Sequence, residues 1–302
     1  MKRQQWLTGA LVLGLTLSTA AVAARVRYKP FVLGHIVTKG SMSQVVMNTR
    51  KALTTHGFRV VGGYTPFANT TILCATDPEL LNAAAHAKFG GFGAVERVSL
   101  TKVHGNWQVS YVNPAYTAVA YGLGPLPKTV AALKAALGAQ KTFGSRRGLT
   151  RGELKPGNYH YALFMPYFDN VDRIRKFPNH MAAVNTIHAN LMKHVGTSSF
   201  VYQVNVPGAP KPTTVFGVGI KSGKGGDHHI LHIIDDHTDK GYAYLPYEMM
   251  VMGRRVIALR PRYRIAVNFP DTSMMGSHGF MNIMSAPPAI RKVLREVAGR
   301  KG

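Results

Sequence analysis

The sequence predicts an α+β protein built as two tandem repeats, each an antiparallel β-α-β(4)-α unit with helices packed on one face of its sheet. Three observations predict it. Strand-like segments such as Thr214 to Ile220 alternate in polarity with period two. Helix-like segments carry an apolar stripe and stop at a glycine. The same order of segments is written twice along the chain.

Residues 1–23 read as a secretory leader. Lys2 and Arg3 form a basic start, Leu7 to Ala20 is uncharged and apolar, and Ala21-Val22-Ala23 supplies small residues for cleavage near Ala23. The competing reading is a membrane anchor, but a bilayer span needs roughly 20 apolar residues. The expected address is the periplasm, with no integral membrane segment once the leader is removed.

The first repeat spans residues 24–140. Ser43 to His56 reads as a helix carrying Val46, Met47 and Leu53, stopped by Gly57, and Phe58 to Tyr64 follows as a strand. Thr71 to Ala75 is a short apolar run. Val95 to Leu100, a turn at His104-Gly105-Asn106, and Trp107 to Val112 form a hairpin, and Lys128 to Leu137 reads as a helix ending at Gly138. Residues 141–154 form a connector, and the aromatic segment Tyr159 to Phe168 is expected to open the second sheet. The second repeat, 155–302, has a helix over Ala182 to His194 with Ala183, Ile187 and Leu191 on one face, then strands Phe200 to Val206 and Thr214 to Ile220. Tyr247 to Met252, a turn at Gly253, and a strand over Arg262 to Phe269 match the first hairpin, and Ala289 to Val297 is the last helix. Gly223 to Gly226 reads as a flexible turn with no helix start behind it.

Each half resembles the domain-of-unknown-function 302 family. The likeness rests on the glycine-stopped helix, the following strand, and the strand-turn-strand closing on Val112-Asn113-Pro114 or Val267-Asn268-Phe269-Pro270. It implies a β-α-β(4)-α domain similar to the TATA-binding-protein fold and implies no catalytic residue. Duplication, leader and long connector set this chain apart from single-copy members. A shared fold does not import DNA binding.

The charge is lopsided, with 37 Lys and Arg against 13 Asp and Glu. The basic residues are scattered, and no zinc-finger spacing or RNA-binding aromatic signature accompanies them, so nucleic acid is not the expected partner. Long-range attraction to an anionic surface or an acidic periplasmic protein fits, as does residence in an acidic medium, where reliance on ionised carboxylates would be costly. A single cysteine, Cys74, excludes an intrachain disulfide and reads as a small buried residue.

Candidate chemistry is concentrated in the second half, where nine of the 13 histidines lie. Asp227 to His237 contains His228, His229, His232 and His237. Read as a strand, it puts His228 and His232 on one face and His229 on the other; their i,i+4 spacing would equally chelate from a helix. His188 and Met192 share a helical face near His180, Met181 and His194. Imidazole with thioether suits copper, and imidazole alone suits zinc. The plainer expectations are a solvated edge for the first group and core packing for the second, with no cofactor. Glu96 and Glu248 fall at matching repeat positions and are expected to face solvent, the alternative being an inward acid paired with Arg97 or Arg264. The remaining acids, such as Asp235-Asp236, Asp169 and Asp172, form no catalytic signature. No GxSxG elbow, P-loop, CxxCH or dinucleotide fingerprint occurs. The expected function is therefore a non-enzymatic binding or accessory protein. Its small apolar ligand or partner would sit between the repeats or on a sheet face, possible loop contributors being Met274, Met275, Met281, Met284 and His278. The alternative is a copper- or zinc-handling protein.

Overall fold

Local chemistry sets where the first helix starts. Ser41 Oγ accepts from Gln44 N while Gln44 Oε1 accepts from Ser41 N at 2.8 Å, a reciprocal capping box. Helix α1 (Met42–Thr55) follows, burying Val45, Thr49 and Leu53; Met47, expected inside, is exposed. The computed structural model describes residues 26–301, so the leader lies outside the described residues.

The first half runs β1 (Arg27–Tyr28), β2 (Phe31–Val37), α1, β3 (Arg59–Phe67), β4 (Thr70–Thr76), α2 (Pro78–His86), β5 (Glu96–Val103), β6 (Asn106–Val112), α3 (Pro114–Ala120) and α4 (Pro127–Leu137). Strand β7 (Lys141–Phe143) then adds to the far edge, giving an antiparallel sheet of order β3-β4-β5-β6-β2-β7. A separate ribbon pairs β1 with β8 (Leu149–Thr150), and α5 (Arg151–Leu154) follows. The second half repeats the plan as β9 (Asp172–Lys176), α6 (His180–Met192), β10 (Ser198–Asn205), β11 (Thr213–Ile220), α7 (Asp227–Ile234), β12 (Tyr247–Met252), β13 (Arg255–Ala258), α8 (Pro261–Asn268) and α9 (Ala286–Val297). Its sheet order is β10-β11-β12-β13-β9.

The antiparallel α+β architecture is as expected, with one helix more between the two hairpins of each half and another after the second hairpin. Three segments differ from the sequence reading. Tyr159 to Phe168 is not a strand; β9 opens the second sheet four residues later. Residues 262–268 are helical, because Pro261 presets the first turn and the segment is buried on nearly every side, which erases any periodicity. The histidine segment is helical as well. Its buried residues Asp227, Ile230, Leu231 and Ile234 follow i, i+3, i+4, i+7, and Gly226 is its N-cap.

Period-two alternation gives each sheet two unlike faces. On β5 and β6, Val98, Leu100 and Val109 are buried on the helix side with α1 Val45 and Leu53, whereas Arg97, Ser99, Gln108 and Ser110 point at the other half. On β12, Glu248 and Met250 point across in the same way.

Candidate ligand cleft between the repeats

The two halves meet about a pseudo-two-fold axis. Tyr116, second residue after Pro114, donates to Val267 O at 2.6 Å. Tyr263, second after Pro261, donates to Ala120 O at 3.3 Å. Each hydroxyl thus reaches the carbonyl four residues past the other tyrosine. Counting back along the hairpins, Arg97 and Glu248 are equivalent positions, one residue off the Glu96–Glu248 match read from sequence.

These two side chains pair with each other. Arg97 Nη1 lies 3.1 Å from Glu248 Oε1, Arg264 Nε lies 3.4 Å from Oε2, and Tyr202 donates to Glu248 Oε1 at 3.0 Å. Glu248 therefore faces inward, correcting the solvent-facing expectation. Arg264 is fully buried between the Tyr244 and Tyr247 rings, 4.4 and 4.7 Å from their centroids, and donates to Tyr244 O and Pro246 O. Burial works against its charge, but Glu248 and the ring faces hold it protonated. Glu96 turns to the opposite side of β5, where burial pushes its carboxyl up to about 8. Cys74 is buried nearby and its thiol is held protonated by the same desolvation.

Either side of this buried join the symmetry leaves a cleft. One, of about 300 Å³, lies between the end of α2 and the β10–β11 turn and is floored by Ala84, Gly91, Met250 and Met252. Its symmetry mate, of about 510 Å³, lies between the end of α7 and the β3–β4 turn. The mates have diverged: the first has an apolar floor with His86, Lys88 and Lys211 around it, while the second presents Lys102, His104, His228, Asp236, His237 and Lys240 against an aromatic wall. That wall is Phe67, edge-on to His228 at 5.1 Å and to Tyr242 at 5.3 Å.

The loop closing the polar cleft is held in place. Gln108 on β6 brackets the backbone of Lys240, donating to O at 2.8 Å and accepting from N at 2.9 Å, and its Nε2 also donates to Ser110 Oγ at 3.0 Å. Asp235 Oδ2 accepts from Gly241 N at 2.7 Å, and Lys240 Nζ donates to Asp235 O at 3.0 Å. Asp235 is almost fully buried, and desolvation raises its carboxyl to about 7. On the other rim, His104 and Gly105 both take positive φ, the two-residue turn that suits a tight hairpin.

The sequence-predicted histidines divide. His228 and His232 lie one turn apart on α7 with rings stacked at 5.3 Å, and His228 and His237 line the cleft. His229 points round the helix, its Nε2 buried without a partner, and desolvation lowers its affinity for a proton. His188 is elsewhere, edge-on to Phe200 with Nδ1 3.1 Å from Gln203 Oε1. Met192 and Met181 are exposed and not core, the stripe of α6 being Ala183, Val184, Ile187 and Leu191. His180 spends both ring nitrogens, on Gly253 O and Thr214 Oγ1. Among the described residues, no three His, Cys, Asp or Glu side chains converge as a metal-ligand set.

A helix does start behind the glycine-rich turn, contrary to expectation, but its first turn is already occupied. Asp227 Oδ2 accepts from Tyr64 OH at 2.6 Å and from Ile220 N at 3.1 Å, with burial raising it to about 7. The first-half contributors Phe67, Lys102 and His104 carry no site signal in sequence, since they become a wall only when the halves join. Gln108 offers one trace, a long polar side chain inside a strand. No family model, curated protein or solved structure matches this chain.

Proposed function

We propose that the chain is an exported, non-enzymatic binding protein that seats a small organic anion with an aromatic or apolar portion in the polar cleft. The observation that carries this reading is the divergence of two symmetry-related clefts. One gathers Lys102, Lys240 and the imidazoles of His104, His228 and His237, with the single carboxylate of Asp236, around an aromatic wall; the other is floored by alanine, glycine and methionine. Lys102 would neutralise the anion, imidazole N–H groups would hydrogen-bond it, and Phe67 and Tyr242 would cover its apolar part. The Gln108 clamp lowers the ordering cost on binding. The leader sequence supports a periplasmic address, and the family resemblance of each half carries no reaction. Among the described residues no helix is long and apolar enough to cross a membrane.

Native mass spectrometry of protein purified from its own compartment tests the reading. We expect a small-molecule adduct that a Lys102→Ala/His228→Ala variant loses. An adduct retained in full by that variant overturns the cleft assignment, and turnover of a substrate panel abolished by one substitution overturns the non-enzymatic reading.

A second reading, copper or zinc handling, is favoured by the stacked His228–His232 pair. A titration against His228→Ala/His232→Ala decides it. Imidazole must be neutral to ligate, so specific uptake would weaken in acid. Equal weak binding by both forms removes this reading.

A further inference from the structure

Beside α7 the chain carries an apolar protrusion that neither half needs for its core, His278 of its second loop reaching Ile233 O at 2.8 Å and lying 3.9 Å from Asp236 Oδ2. At its tip Phe164 is 94% exposed and Leu163 is exposed beside it. Next to them a second loop exposes Met274, Met275, Met281 and Met284, Met275 at 77%. Side chains so placed are a standing cost in water unless something covers them.

The protrusion is built rather than slack. Tyr161 donates to Thr272 O at 2.6 Å and packs edge-on against Phe280 at 4.6 Å, tying the two loops together. Backbone bonds from Phe280 N to Ser273 O and from Met281 N to Met274 O fold the methionine loop on itself, and Asn282 Nδ2 clamps its tip by donating to Gly276 O. Met165 from the first loop joins Met281 and Met284 around a small apolar cavity with Arg262 at its edge.

We infer that this protrusion docks the protein on an anionic phospholipid surface, Leu163 and Phe164 entering the acyl boundary and the methionines lying at headgroup depth. Charge complementarity selects that occupant. The chain carries +24, or +22 without Lys2 and Arg3 of the leader, and its basic residues are spread along the sequence rather than gathered in a run, which suits a laterally uniform negative field better than a point partner. Residues 161–168 and 272–287 contain no acid. The flanking acids are already engaged, Asp169 with Lys88 Nζ at 2.7 Å and Asp271 with Ser145 Oγ at 2.9 Å and Arg146 N. Exposed Arg262 would meet lipid phosphates. Apolar insertion and electrostatic attraction are both required for firm interfacial binding, since either alone is marginal.

Co-sedimentation with phosphatidylglycerol-containing vesicles tests the inference, using the leader-free chain from Ala24 onward. Binding is expected to anionic vesicles, not to pure phosphatidylcholine, and to weaken as salt rises. Leu163→Ser/Phe164→Ser should cut it about tenfold, the ratio that 1.4 kcal/mol represents, whereas Met47→Ser, an exposed methionine on α1, should change nothing. A Phe164→Trp variant should shift its emission to the blue on anionic vesicles. Three results would overturn the inference: no binding to anionic vesicles, equal binding by the Leu163→Ser/Phe164→Ser form, or self-association of the chain that this substitution abolishes while vesicles are ignored. None of these readouts depends on the cleft.

Discussion

Glu248 is 1% exposed and answers to two guanidinium groups from different parts of the fold, so its energetics are those of a buried charge and not of a surface ion pair. Removing Arg97 or Arg264 leaves charge uncompensated in a dry join. Arg264→Leu and Arg97→Met are each expected to cost about 3–5 kcal/mol, read by chemical denaturation. Glu248→Gln should be comparably costly, because it strips the counter-charge from both arginines. Replacing Arg97 and Glu248 together by apolar residues should cost clearly less than the two single changes added, a coupling that a double-mutant cycle resolves. If the changes were simply additive, the pair would not be acting as a unit. The mirrored tyrosines are a smaller case: Tyr116→Phe and Tyr263→Phe each leave one carbonyl without its donor, for about 1 kcal/mol apiece.

At the scale of elements, the turn after α7 is shaped from outside itself. Residues 235–241 owe their path to Gln108 on β6, to the buried Asp235 carboxylate and to the Lys240 ammonium. Gln108→Ala is expected to speed hydrogen exchange across this turn by an order of magnitude or more while leaving β5 and β6 protected, since the loss is about two hydrogen bonds at roughly 1 kcal/mol each. Unchanged exchange there would mean that Asp235 alone positions the loop. Helix α6 offers a local control, its N-cap Asn179 accepting from Ala182 N at 2.8 Å. Asn179→Ala should cost about 1 kcal/mol of stability without altering exchange in the cleft.

For the whole molecule, the buried acids give stability a direction with pH. Desolvation raises Glu96 to about 8 and Asp227 and Asp235 to about 7, against ordinary values near 4. A raised acid favours the fold while protonated. Its contribution is complete below the unfolded value and is lost as pH climbs through the folded one. Glu153 runs the other way, lowered by its capping bonds to Thr150, but it is exposed and its share is small. Stability should therefore rise as pH is lowered from 8 to 5, by on the order of a few kcal/mol in all, read as a higher thermal midpoint. Glu96→Gln should flatten the upper part of that slope. A midpoint that falls over the same range would mean that repulsion among the cations dominates. The expected direction accords with residence in an acidic medium.

Much of this plan is legible in the residues themselves, because local patterns carry it. Period-two strands, glycine-stopped helices and the Asn-Pro junction at 113–114 disclose an antiparallel α+β chain, and the repetition of those patterns discloses the duplication. Reading fails where burial surrounds a segment. Residues 262–268 and 227–234 are helices that periodicity misassigns, the first because nearly all its positions are buried, the second because its histidines distract from the Asp227-Ile230-Leu231-Ile234 stripe. The histidine group is legible in the sequence, but its placement at a cleft between the repeats is not. Which imidazoles share a cleft, which acid meets Arg97, and that Phe67, Lys102 and His104 form the opposite wall all depend on how two sheets dock. That docking is set by a symmetric join of side chains more than a hundred residues apart, and no local sequence pattern encodes contacts at such a separation.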